Sequence, residues 1–304
     1  MYISRKKFWA HMSLLVVNII FGINFPMVKA IMPIYIKPLA FVAIRIVGAA
    51  VLFWITSFCI PKEPVYKKDI LYLFFCSFFG MMINQIFFHL GLNLTSPVNS
   101  SIIMSINPIF AFIFTALILK EKITFIKGSG LAIGFFSVML LIFKDGIPNK
   151  QSSTFFGDIS ILVNAISWAL YTVIIKKMLE KYHLITVMKW TFLFGCFTII
   201  PVGYNDWSSM DWLSISLSAW MGIGFVVVFV TYVGYLLIAF GLRNLSPTIV
   251  STYSYTQPVI AAYLATLLGQ DHVDFKMIIP ALLSFVSIYI VSQQKKSNII
   301  LVPK

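Results

Sequence analysis

Apolar runs close to 20 residues long recur along the chain, parted by short polar stretches. An apolar helix of about 20 residues is long enough to cross a bilayer. Ten runs qualify, near 9–30, 38–59, 70–91, 96–119, 125–143, 156–178, 184–204, 219–241, 246–268 and 275–293. The pattern predicts an all-α integral membrane protein with ten transmembrane helices and short connections. The longest break in the first half holds Pro61, Lys62, Glu63, Pro64, Lys67 and Lys68. A polar segment with Gly146, Pro148 and Asn149 separates the fifth run from the sixth. The expected division is one five-helix unit at 1–143, a connecting loop at 144–155, a second five-helix unit at 156–293 and a tail at 294–304.

One stretch is written twice. GLNLTSPVNSSIIMSINPIFAFIFTALILKE (91–121) falls without a gap on GLRNLSPTIVSTYSYTQPVIAAYLATLLGQD (241–271) at a shift of 150. Eight of 31 positions are identical, among them Gly91/Gly241, Pro97/Pro247 and Pro108/Pro258, where composition alone gives roughly two or three. An amide precedes the inner proline in each copy, Asn107 and Gln257, and an acid closes each, Glu121 and Asp271. At the same shift Gln85 falls on Tyr235. At a shift of 147 the first run aligns with the sixth, so that Asn24 meets Tyr171 and Lys29 meets Lys176. Lysines and arginines gather in alternate connections, 16 on one side against five on the other, and the richer side is cytoplasmic. Both termini are therefore expected in the cytoplasm. Five spans per unit is an odd number, so the second unit inserts upside down. The result is two inverted repeats around a central cavity, the plan of many secondary transporters.

Composition agrees. Hydrophobic residues make up 60% of the chain, charged residues 11%, and the mean hydropathy is +0.92, where a soluble domain has about a quarter of its residues charged. The net charge of +13 does not point to nucleic acid, since no basic run is long enough to track a phosphate backbone. No phosphate-binding loop is present, which argues against ATP-driven pumping. Cys59, Cys76 and Cys196 have no disulfide or metal spacing, and no metal or cofactor is expected. Arg5, Lys6 and Lys7 precede the first run as in a signal peptide, but no small-residue cleavage site follows, and the first helix is read as retained.

Several segments resemble the EamA-type transporters of the drug/metabolite transporter superfamily. They are FGINFPMVK (21–29), PLAFVAIRIVGAA (38–50), TSPVNSSIIMSINPIFAFIFTALILKE (95–121), SWALYTVIIKK (167–177) and SPTIVSTYSYTQPVIAAYLATLLGQD (246–271). The likeness spans essentially the whole chain. It implies ten helices, an inverted repeat, a central cavity and passage of a small metabolite. The chain departs from the family pattern at Phe21, where tryptophan is usual, and at Gly269-Gln270, where Gly-Glu is usual. These departures leave the substrate open.

Arg45 stands about seven residues into the second run, roughly 10 Å deep at 1.5 Å per residue. A charge there costs a few kcal/mol unless it is paired or solvated. Arg45 either faces the cavity or a partner, or it snorkels to the outer interface. All ten carboxylates fall in connections or at run ends. His89, with Gln85 one turn earlier on the same face, is the one candidate for a proton relay at depth. Its isolation favours facilitated passage or exchange over proton coupling.

The remaining polar residues in the runs are neutral. Candidates for substrate binding are Asn24, Arg45, Gln85, His89, Asn107, Trp168, Tyr171, Tyr235, Tyr255 and Gln257. Asn164, Trp168 and Tyr171 share one helical face, as do Ser251, Tyr255, Pro258 and Ala262. Such a mixture suits a polar solute with an apolar part, although the same residue types also join membrane helices. Pro108 and Pro258 each remove a backbone hydrogen bond, giving either hinges or permanent bends.

The reading is a secondary transporter, not an enzyme, in a bacterial inner membrane. It moves small organic metabolites, amino acid-like or otherwise amphipathic, by alternating access, and the resemblance points to export. Its partners are the solute and the lipid bilayer, with no nucleic acid, and it is either a monomer or a homodimer. The competing readings are a membrane-embedded enzyme and a lipid-handling or structural protein. An enzyme needs paired carboxylates or a metal cluster at depth, and the four histidines, His11, His89, His183 and His272, lie far apart.

Overall fold

A computed structural model of the chain describes residues 5–32, 34–95, 100, 103–122, 124–142, 155–260, 263 and 278–293. The expected positions at Pro97, Asn99 and Asp271, most of the connecting loop and the tail lie outside these residues. The described chain is helical: α1 (Arg5–Ile31), α2 (Pro38–Ser57), α3 (Lys67–Leu94), α4 (Asn107–Ile118), α5 (Phe125–Ile142), α6 (Phe155–Lys181), α7 (Leu184–Ser208), α8 (Leu217–Asn244), α9 (from Pro247–Thr252) and α10 (Ile278–Ser292). Six of them, α1, α2, α3, α6, α7 and α8, are long and apolar enough to cross a membrane. Large apolar side chains such as Val51, Ile55, Leu71, Phe75, Phe197 and Leu282 point outward, as a lipid-facing surface requires.

Local chemistry sets the helix starts. Pro38 and Pro247 open α2 and α9, where a missing N–H is harmless. Ser216 caps α8 by accepting from Ala219 N, and His183 caps α7 by accepting from Ile185 N. Five helices extend past their apolar runs. α3 begins at Lys67 because its polar start is held: Asp69 accepts from Lys181 and from the Tyr182 hydroxyl. Conversely, the fourth span is not one regular helix. A turn at 105–106 precedes α4.

The helix pairing is unchanged when each helix is exchanged for the one five places on. α2 packs on α7, α4 on α9 and α5 on α10; α1 packs on α8 and α6 on α3. The direction of the repeat follows from contacts along these pairs. A Cβ placed on Gly241, Gly234 or Gly222 of α8 meets Leu14, Phe21 or Ile31 of α1 respectively, so α1 and α8 are antiparallel. Phe25 of α1 packs on Phe88 of α3, and Lys29 reaches the carbonyl of Leu92, so α1 and α3 are parallel. The equivalent helices α3 and α8 therefore run in opposite directions, and the repeat is inverted. Two glycines of the repeat are explained here. A methyl on Gly91 would lie 2.8 Å from Ile161 Cδ1, and one on Gly241 would lie 2.7 Å from Leu14 Cδ2. Ile161 and Leu14 are themselves equivalent at a shift of 147.

Both repeats carry a π-helical turn at the same place, Phe78–Ile83 in α3 and Val226–Val233 in α8. Such turns are rare and cluster at functional sites. Both repeats also close a helix end with a lysine. Lys29 Nζ donates to the carbonyls of Leu92, Asn93 and Thr95 at the end of α3, and Lys176 Nζ to those of Leu242 and Leu245 at the end of α8.

Candidate functional site

The two repeats meet at a residue and its own image. Gln85 Nε2 donates to the Tyr235 hydroxyl at 2.8 Å. Equivalent residues touch only close to the axis that relates them, so the pseudo-two-fold axis passes between this pair. Around it lies a cavity of about 90 Å³ lined by seven of the expected residues: Asn24, Arg45, Gln85, Asn107, Trp168, Tyr235 and Gln257. At about 30 Å³ per water, that is room for roughly three waters.

The amides before the two inner prolines are fixed in matching ways. Asn107 Nδ2 donates to the carbonyl of Ala165 at 3.0 Å, and Gln257 Nε2 donates to Asn18 Oδ1 at 2.8 Å. Ala165 and Asn18 are equivalent at a shift of 147. Regular α-helix is broken just ahead of both prolines, by the turn at 105–106 and by the 3₁₀ turn Tyr253–Thr256. Pro108 and Pro258 are therefore not inside a helix as expected: each falls in the first turn of the segment that resumes after the break, where a missing N–H is harmless.

Arg45 does not snorkel. Its side chain is 4% exposed. Its Nε donates to Thr231 Oγ1 at 3.1 Å, and its Nη1 lies 2.8 Å from His89 Nε2. The other imidazole nitrogen, His89 Nδ1, lies 2.8 Å from the carbonyl of Gln85. A guanidinium only donates and a carbonyl only accepts, so the imidazole between them is the neutral Nδ1–H tautomer. Thr231 Oγ1 in turn donates a hydrogen bond to the carbonyl of Val226, inside the π turn of α8. The distortion in α8 therefore helps to hold the arginine.

Three expected residues lie off the cavity wall. His89 is fully buried behind Arg45 and packs on Phe41 and Phe88. Tyr171 is buried against Gly80, where a Cβ would enter its ring, and beside Trp168. Tyr255 turns toward α5 and donates to the carbonyl of Leu131 at 3.2 Å. The cavity in turn includes residues outside the expected set. Asn84 and Asn164 exchange Nδ2-to-carbonyl hydrogen bonds, 3.4 and 2.8 Å. Asn164 shares a helical face with Trp168, which marks it in sequence. Thr231 carries no such mark. Three polar atoms on lining residues, Asn24 Oδ1, Asn164 Oδ1 and Ser254 Oγ, are buried with no partner among the described residues.

The fold and cavity define a multi-pass helical membrane protein built as an inverted repeat around a small polar chamber. The EamA-like transporter family model matches residues 8–143 and again 155–293, and the chain belongs to this family. Curated relatives carry transporter names. "Uncharacterized transporter YyaM" of Bacillus subtilis is 28% identical over 80% of this chain and 81% of that protein. An "Uncharacterized transporter" of Archaeoglobus fulgidus is 25% identical over 86% and 91%. A solved crystal structure shares the fold with a TM-score of 0.75 at 12% identity, covering 96% of this chain and 97% of that one. The protein is a membrane transporter.

Proposed function

We propose that the chain is a secondary transporter that moves one small organic metabolite at a time through the cavity between its repeats. Access alternates as one repeat rocks against the other, the motion that inverted repeats provide around a fixed site. The carrying observation is the chamber on the pseudo-two-fold axis, with Arg45 and several amides beside apolar walls from Phe21, Phe25, Phe88 and Ile238. A solute with polar groups beside an apolar part matches a wall of that mixture. The site is a bacterial inner membrane with both termini in the cytoplasm, and the direction is export, as the resemblance implies. Purified protein in proteoliposomes, preloaded with candidate amino acid-like solutes, is expected to show counterflow of at least one of them. Ligand binding without any exchange or uptake would refute transport by this route.

A further inference from the structure

We propose that the transported solute is an organic monoanion, with a carboxylate that docks on Arg45. The proposal rests on the transporter reading above and narrows its substrate. A guanidinium has five N–H donors. In Arg45 two are engaged, by Thr231 and His89. The other three, on the terminal nitrogens Nη1 and Nη2, have no acceptor among the described residues. Arg45 lines the cavity and is 4% exposed.

None of its neighbours compensates the charge. Thr231 is neutral. His89 is held in its neutral tautomer by the carbonyl of Gln85. The Phe41 ring centroid lies 6.0 Å from Arg45 Cζ, at the outer limit of a cation–π contact. No carboxylate pairs with Arg45 among the described residues, whose ion pairs are Lys127–Glu121, Lys176–Glu180 and Lys181–Asp69. A buried, hydrogen-bonded cation with free donors and no counter-charge is a poor structural element and a prepared anion site. Thr231 and His89 fix the guanidinium plane before any solute arrives, so less entropy is lost on binding. Among the described residues, Arg45 is also the only lining residue with a formal charge. One cation matches one negative charge, which favours a carboxylate over a phosphate dianion. The cavity volume of about 90 Å³ sets the scale as a small molecule.

The test uses matched acid and amide pairs on the full-length purified protein: butyrate with butyramide, phenylacetate with phenylacetamide, and N-acetyl-L-leucine with N-acetyl-L-leucinamide. Each is titrated against the melting temperature, since a ligand that binds only the folded state raises it. At least one acid is expected to bind about 10- to 150-fold more tightly than its amide, the range of a charge-assisted hydrogen bond. The preference is expected to vanish in Arg45→Gln and to survive in part in Arg45→Lys. A merely structural arginine would lower stability without moving the acid-to-amide ratio. Should Arg45→Gln fail to fold, the wild-type pairs and Arg45→Lys decide. Amides that bind as well as their acids, or an acid preference that persists in Arg45→Gln, would overturn the proposal and leave the transporter reading standing. Failure of every acid and amide to bind would overturn the proposal, whereas the transporter reading stands or falls on counterflow.

Discussion

Replacing Lys29 by methionine probes how the helix ends are held. The last turn of α3 leaves carbonyls that no helix amide can reach. Lys29 serves three at that end, Leu92 at 2.7 Å and Asn93 and Thr95 at 3.2 Å. Methionine keeps the length and apolar stem but removes the charge and the donors. A hydrogen bond to a charged group contributes about 1.5–3 kcal/mol. The interaction of a cation with a helix C-terminus adds about 0.3–1 kcal/mol. The site is only partly buried, so water recovers some of the loss, and the two longer bonds count for less than the short one. The expected cost is therefore about 2–3 kcal/mol. Lys176→Met removes the equivalent cap from α8, together with an exposed pair to Glu180 that is itself worth little. Its cost is expected to be similar, and the double variant additive, because the two caps share no partner. Denaturant titration of wild type and variants in one detergent measures this. A Lys29→Met loss below about 0.5 kcal/mol would show that water serves the carbonyls as well as the ammonium does.

Gly91→Ala is expected to cost about 1–3 kcal/mol, more than Gly241→Ala. Its methyl meets the carbonyl of Gly157 at 3.0 Å, whereas at Gly241 only the yielding tip of Leu14 is in the way; thermal melts of both variants give the order. Pro108→Ala and Pro258→Ala add an N–H in a first helical turn, where it has no intrahelical acceptor, so each is expected to leave the melting temperature nearly unchanged while slowing the initial transport rate. Unchanged rates would mark the interruptions as static. Lys120 follows α4 with φ of 55°, a left-handed conformation that favours glycine, so Lys120→Gly is expected to stabilise by about 0.5–1 kcal/mol in the same melts.

Much of the architecture was legible because it is carried by length, polarity and duplication. The shift of 150 aligns Gln85 with Tyr235, but their contact needed the fold, since an inverted repeat sets equivalent residues at mirrored depths that coincide only at the axis. The paired amides Asn107 and Gln257 were visible in the same alignment. Side-chain direction was not. Tyr255 shares a face with Ser251 on an ideal helix, yet the 3₁₀ turn at Tyr253–Thr256 changes the angular step and sends it to α5. Thr231 was hidden because a lone threonine in an apolar run has no periodic signal, and its role depends on the π turn around it. His89 was legible as an isolated polar group at depth, but its place behind Arg45 depends on how α2 and α3 pack.

The π turns have a consequence for rotational phase. Ahead of Phe78–Ile83, α3 is keyed to its neighbours by Tyr72, which donates to Ile174 O, and by Ser77, which donates to Thr191 O. Beyond that turn, Gln85 is keyed to Tyr235 and His89 to Arg45. An uninterrupted α-helix has one fixed phase, about 100° per residue, and cannot meet two independent sets of partners except by accident. The wider turn works as a phase shifter that sets the second half without disturbing the first. Straightening 78–83 into ordinary α-helix without changing its length would swing everything after it by about 100°. Gln85 and His89 would leave the axis together, while the half anchored by Tyr72 and Ser77 stayed in place.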